Sequence, residues 1–132
     1  MTDDTMTIRQ MCDLFDVTPR ALRFYEAKEL LSPIRQGTRR LYTRADRARL
    51  TLILKGKRFG FSLEEIRQLL ELWDGGRGRT TQLARTIEVA ERHLTEMIAR
   101  RDALNVAIGE LQEQLAWGRE ELARQTARSD AA

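Results

Sequence analysis

Between Thr81 and Thr126 the apolar residues fall at alternating spacings of three and four. The series runs Leu83, Ile87, Ala90, Leu94, Met97, Arg101, Leu104, Ile108, Leu111, Leu115, Gly118, Leu122. Ten of these twelve positions are apolar, half of the residues between them are Glu, Arg, Gln or Asp, and no proline interrupts them. A stripe repeating every seven residues over this span predicts a coiled-coil helix. At 1.5 Å per residue, 81–126 would extend about 69 Å. A 74-residue head cannot cover such a stripe, so the helix is expected to pair with a second copy of itself through Leu83, Ile87, Leu94, Met97, Leu104, Ile108, Leu111 and Leu115. An intrachain hairpin is the alternative. Its only plausible hinge is Gly109, and a single Gly costs a helix only about 1 kcal/mol. The seam does not settle parallel or antiparallel pairing. Arg101 and Gly118 interrupt it and are candidates for fixing register.

Upstream, the pattern changes to short amphipathic helices. Thr7 followed by Gln10 is a capping box, and Ile8, Met11, Cys12, Leu14 and Phe15 give the helix its apolar side. Asp16-Val17 makes a turn, since Asp tolerates a left-handed backbone. Thr18-Pro19 opens a second helix, in which Ala21, Leu22 and Phe24 lie among Arg20, Arg23 and Lys28. Leu30-Leu31-Ser32-Pro33 ends it. Two extended pieces, 31–35 and 39–42, flank a turn at Gln36-Gly37-Thr38. Thr43 with Asp46 caps a third helix carrying Ala45, Ala48, Leu50, Ile53 and Leu54, with Arg44, Arg47 and Arg49 expected outside. It should end between Gly56 and Gly60. Ser62 with Glu65 caps a fourth, with Leu63, Ile66, Leu69, Leu70 and Trp73 at amphipathic spacing. The expectation is a mostly α chain. Residues 1–74 form a winged helix-turn-helix head with residues 1–6 frayed, 75–80 a glycine hinge, 81–126 a dimerisation helix and 127–132 a disordered tail.

Charge gives this head a purpose. The net charge of the chain is only +3, but residues 19–60 hold twelve Lys/Arg against three Asp/Glu, whereas 75–132 hold nine of each sign. A cationic helix followed by a cationic wing suits a groove of nucleic acid, with arginines reaching phosphates and base edges. The lone Cys12 cannot form an internal disulfide and is expected to be a small core hydrophobe in a reducing compartment. No apolar run approaches a membrane span, and the acidic start is no secretory signal, so the expectation is a cytoplasmic protein without membrane contact. His93 has no Cys or second His nearby and is expected to be solvated or at the seam edge. No nucleophile–base pair, metal-ligand cluster or phosphate-cradling loop is present, which argues against an enzyme and implies no cofactor. A coiled-coil adaptor whose basic head binds protein or RNA is the rival reading. The helix-plus-wing arrangement speaks against it.

The segments LRFYEAKELLSP, RRLYT and RFGFSLEEIRQLL, in this order before a glycine hinge and a heptad helix, resemble the MerR family of bacterial transcription regulators over essentially the whole chain. The resemblance implies a winged helix-turn-helix head on an antiparallel homodimeric coiled coil. Such a dimer binds a pseudo-palindromic promoter site in double-stranded DNA and distorts it so that RNA polymerase can engage; other members repress. It also implies residue roles. Thr18, Arg20 and Ala21 face the major groove. Arg23, Phe24 and Tyr25 match positions that pin the backbone, Tyr25 through its hydroxyl. The pair is often two tyrosines, so Phe24 lacks one phosphate bond. Arg40 and Tyr42 match the wing, Arg35 and Arg39 add charge there, and Lys57 matches a backbone-contacting lysine. Metal-sensing and redox members carry cysteines at the start of the long helix and in a loop after it; here there are none, which implies no metal. Drug-binding members carry a large C-terminal ligand domain, absent here, so a small-molecule effector would bind the coiled coil, the hinge or the head-to-helix junction. Trp117 could line such a site, with packing the simpler role. The short, cysteine-poor form is similar to the branch linked to acyl-CoA and branched-chain amino-acid breakdown.

Overall fold

The computed structural model describes residues 4–75 and 78–131. Its elements are β1 (Met6–Thr7), α1 (Ile8–Phe15), α2 (Pro19–Ala27), β2 (Ile34–Gln36), β3 (Arg39–Tyr42), α3 (Arg44–Arg58), α4 (Leu63–Asp74) and α5 (Arg79–Ala131). A hydroxyl sets the start of each of the first four helices. The side chains of Thr7, Thr18, Thr43 and Ser62 accept the N–H groups of Gln10, Ala21, Asp46 and Glu65 at 3.1–3.2 Å. In α1, α3 and α4 the third residue returns the bond to the capping backbone at 2.9 Å. Each cap satisfies otherwise orphaned donors and contributes about 1 kcal/mol. Between α1 and α2, Asp16 takes the left-handed conformation expected of the turn (φ 55°, ψ 50°).

The wing is a three-stranded antiparallel sheet in the order β1-β3-β2. β2 pairs with β3 through Ile34↔Leu41, Arg35↔Arg40 and Gln36↔Arg39, and Gly37 supplies the positive φ of 62° needed at the turn. The third strand corrects the expectation of a frayed start at Met6, while residues 1–3 of that expectation lie outside the described residues. Met6 pairs with Tyr42 and Thr7 with Leu41, so one edge of β3 is closed. Asp4 is also tied in by ion pairs to Arg44 and Arg47 at 2.6 and 2.9 Å.

The core joins α1, α2, the wing, α3 and α4 through Met11, Leu22, Tyr25, Tyr42, Ile53 and Leu70, with Cys12 packed against it. Burial pushes the Cys12 thiol up. Asp46 is buried without being orphaned. It accepts from the N–H and hydroxyl of Thr43 and from the N–H of Ser32, which fixes the chain leaving α2 to the start of α3. α3 ends at Arg58, between Gly56 and Gly60 as expected, with Gly56 inside its last turn. A Cβ there would meet Ile66 Cγ1 at 2.9 Å, so the missing side chain is what lets α4 close on α3. In α4 the buried residues are Ile66, Leu70 and Leu72, whereas Leu63 and Trp73 are exposed. Arg49, expected outside, turns inward to donate to the Leu30 carbonyl at 2.9 Å.

α5 starts at Arg79, within the expected hinge, and continues through 127–131, correcting the expectation of a disordered tail there; Ala132 lies outside the described residues. Gly78, at φ 74°, is the last left-handed residue, and nothing after it breaks a helix; the terminal Ala127 and Ala131 favour one. The hinge residues Gly76 and Arg77 lie outside the described residues. The chain divides into two compact units, Met1–His93 and Leu94–Ala132, so the first turns of α5 belong with the head. His93 is a tertiary contact here, correcting its expected solvated or seam-edge place. Its ring stacks on Phe61 at 4.8 Å, and its Nε2 lies 3.0 Å from Glu65 Oε1. Arg92 donates to the other Glu65 oxygen at 2.8 Å.

Candidate nucleic-acid interface

Pro19 at the first position of α2 and Thr18 at its cap leave the helix N-terminus open to solvent, with Arg20 and Arg23 one turn apart on the exposed side. The same turns carry Ala21, Phe24 and Tyr25 toward the end of α3. Together with Thr18, Arg20, Lys57, Phe61 just before α4, and the α4 residues Leu63 and Ile66 they line an open cleft of about 490 Å³. Six of the residues expected to touch DNA therefore share one concavity. Tyr25 is 3% exposed and forms its floor, while Phe24 is 45% exposed at its lip. The two rings meet edge to face at 5.8 Å, and Lys28 Nζ lies 5.7 Å from the Phe24 centroid. A second depression, of about 230 Å³, is lined by Thr7, Ile8, Arg23, Thr38, Arg39 and Arg40, bringing the outer face of α2 beside the wing tip.

The cations of this surface fall into two groups. Arg20, Arg23, Arg39 and Lys57 form no ion pair among the described residues. Arg35 and Arg40 are both held by Glu26 of α2. Arg35 Nε donates to Oε1 at 3.0 Å and its terminal nitrogen also reaches that oxygen, while Arg40 Nε donates to Oε2 at 2.6 Å. Burial pushes the Glu26 carboxyl up, but the bonds from Arg40 and Arg35 outweigh it and hold the group below its ordinary range. Arg44 and Arg47 are held by Asp4, whose carboxyl is lowered chiefly by the Arg44 hydrogen bond. Cations without a carboxylate partner are the ones ready to take phosphate oxygens.

Tyr42 is a correction among the expected contacts. It is fully buried under the wing, so its hydroxyl cannot reach a phosphate. Burial, then the nearby Glu26 carboxylate, push its pKa up. The β1 strand and the inward phase of β3 put it there, and an RRLY string alone does not reveal which alternate residue faces the core. Reading the residues also missed Glu26 and Phe61. Glu26 carried a signal, as one of only three acids in 19–60, inside an otherwise cationic stretch. The expected pairing residues Leu83, Ile87, Leu94, Met97, Leu104, Ile108, Leu111 and Leu115 are 40–62% exposed on α5. Among the described residues no group of three or more His, Cys, Asp or Glu could hold a metal ion. No helix of the described residues is long and apolar enough to cross a membrane.

The same architecture occurs in known proteins. Residues 6–73 match the family described as MerR HTH family regulatory protein, and 47–114 match that described as MerR, DNA binding. The HTH-type transcriptional regulator CueR of Salmonella typhimurium is 33% identical over 105 residues, spanning 75% of this chain and 76% of that protein. A MerR family transcriptional regulator from Bacillus cereus superposes with a TM-score of 0.65 at 28% identity, over 83% of this chain and 78% of that one. HiNmlR, a MerR family regulator lacking the sensor domain and bound to promoter DNA, superposes with a TM-score of 0.59 at 25% identity, over 73% of this chain and 74% of that one.

Proposed function

Because the chain belongs to the MerR family of helix-turn-helix transcription regulators, we propose that it grips a pseudo-palindromic promoter site as a homodimer, with α2 in the major groove and the wing beside it. Thr18, Arg20 and Ala21 meet base edges. Arg23, Tyr25 and Lys57 take phosphates around the cleft, with Phe24 packing against the sugar-phosphate chain, and Arg35, Arg39 and Arg40 serve the wing. The observation that carries this reading is the grouping of Arg20, Arg23, Arg39 and Lys57, all without ion-pair partners among the described residues, around the open end of one capped helix.

Dimerisation runs through the exposed seam of α5 as an antiparallel coiled coil. The support is the heptad period and the exposure of every seam residue named for pairing on the single chain. The helix-turn-helix and wing act as the DNA-binding head, and α5 from Arg79 onward, beyond its first turns, as the pairing helix. Regulation works by deforming DNA so that RNA polymerase meets the promoter in a changed shape. The single Cys12 suits work in the reducing cytoplasm. Placement in the branch linked to acyl-CoA and branched-chain amino-acid breakdown rests on the lack of cysteine in α5 alone; the matched relative CueR does not speak for it.

Arg40→Ala tests the interface. It should lower affinity for the operator about tenfold, within the range for losing one such contact, while the protein still sediments as a dimer. Unchanged affinity in a fluorescence anisotropy titration would remove the wing from the interface.

A further inference from the structure

A carboxylate beside a phosphate-binding face repels the ligand, so Glu26 calls for a physical reason. It projects from the last turn of α2 and is only 16% exposed, amid a surface that is otherwise cationic. Both of its oxygens are used, Oε1 by Arg35 of β2 and Oε2 by Arg40 of β3. Among the described residues, every hydrogen bond between α2 and the two wing strands ends on this carboxylate. The wing is otherwise held by its pairing to β1 and by apolar packing of Tyr42 in the core it shares with Leu22 and Tyr25 of α2.

We propose that Glu26 is a positioning residue: it ties the wing to α2 at a fixed angle and thereby sets how strongly the protein prefers its own operator over other duplexes. The inference rests on the interface proposed above and adds a part to it. Arg35 and Arg40 are long and flexible, and released from Glu26 each could follow phosphates on any sequence. That would add sequence-independent attraction. Held as a pair across one carboxylate, they present their remaining N–H groups at a fixed distance from α2. A duplex then satisfies them only when α2 is seated in its proper register. Selectivity gains at the expense of raw affinity, the usual consequence of an electrostatic device that penalises wrong partners.

The test uses the full-length chain, with Glu26→Gln, which keeps size and removes charge, and Glu26→Asp, which keeps charge and shortens reach. The first readout needs no DNA. Nitroxide labels at Ala27→Cys and Thr38→Cys in a Cys12→Ser background, diluted with unlabelled protein, report the α2-to-wing distance by double electron–electron resonance. Glu26→Gln should broaden the distribution, and Glu26→Asp should fall between it and the unsubstituted residue. The second readout is the affinity ratio between an operator enriched from random sequence and its scrambled counterpart. Glu26→Gln should raise affinity for the scrambled duplex severalfold, steepen its salt dependence by about one to two contacts, and lower the ratio about tenfold. A merely structural role would lower the unfolding midpoint and leave the ratio alone. An unchanged distance distribution in Glu26→Gln overturns the tether. A broadened distribution with an unchanged ratio overturns its link to selectivity. Should the parent protein itself prefer no duplex, the proposed interface fails together with the selectivity role, while the distances still decide the tether.

Discussion

The Tyr42 ring is wholly enclosed, and its hydroxyl has no hydrogen-bond partner among the described residues. A buried, unsatisfied hydroxyl costs on the order of 1–3 kcal/mol, and the raised pKa of the phenol reflects the same desolvation. Tyr42→Phe should therefore increase the free energy of unfolding by about 1 kcal/mol and leave operator affinity unchanged. Urea denaturation and an anisotropy titration check the two halves. A loss of affinity would place the hydroxyl on the DNA after all. Tyr25, at 3% exposure, is equally part of the core but lines the cleft, so its tip has a route outward that Tyr42 lacks. The two tyrosines look alike in the sequence. What separates them is their place: Tyr42 sits on a strand paired with β1, whereas Tyr25 lines the cleft.

Glu65 joins the start of α4 to α5. It closes the capping box of α4, accepts from Arg92 and sits beside His93 of α5, whose ring stacks on Phe61. Its carboxyl is lowered from the ordinary 4.5, first by the Ser62 backbone N–H and then, against some opposition from burial, by His93 and Arg92. A carboxyl with a depressed folded-state pKa contributes stability that is complete above 4.5 and fades as pH falls through its folded value. In urea denaturation between pH 3 and pH 6, Glu65→Gln should thus lose stability relative to the parent at pH 6, and the gap should narrow toward pH 3. A gap that stays constant would mean that the charge is not what Glu65 contributes. The capping half of this arrangement was legible in the sequence because Ser62 and Glu65 are three residues apart. The His93 half was not, because nothing local announces a partner 28 residues away. The same division explains the wing. Its hairpin was readable from Gly37 and the flanking extended pieces. β1 was not, since two residues carry no period and their pairing to 41–42 is purely non-local. α3 ends at Arg58, between Gly56 and Gly60 as expected, but the packing reason for Gly56, the close approach of Ile66, could not be read from the sequence.

At the scale of the molecule, the longest pattern was the most readable one. A seven-residue period repeated along α5 leaves little room for another structure, and the helix is present from Arg79 to Ala131 with no buried residue of its own. Apolar seam residues such as Leu104 (62% exposed) and Leu111 (61%) have no reason to face water in a free chain, which is the physical argument for a second copy. Leu104→Glu should then give monomers by sedimentation velocity, with operator affinity lowered at least about a hundredfold because each half-site is bound alone. A variant that still sediments as a dimer would show that the seam is misplaced. The central claim, a two-fold head-and-wing grip on a deformed promoter, is tested most directly by selecting bound sequences from random duplex DNA and footprinting the enriched site. The account predicts a two-fold symmetric sequence, protection falling off steeply with salt, and enhanced cleavage at the centre where the duplex is distorted. An enriched site without symmetry, or no enrichment at moderate salt, would contradict it.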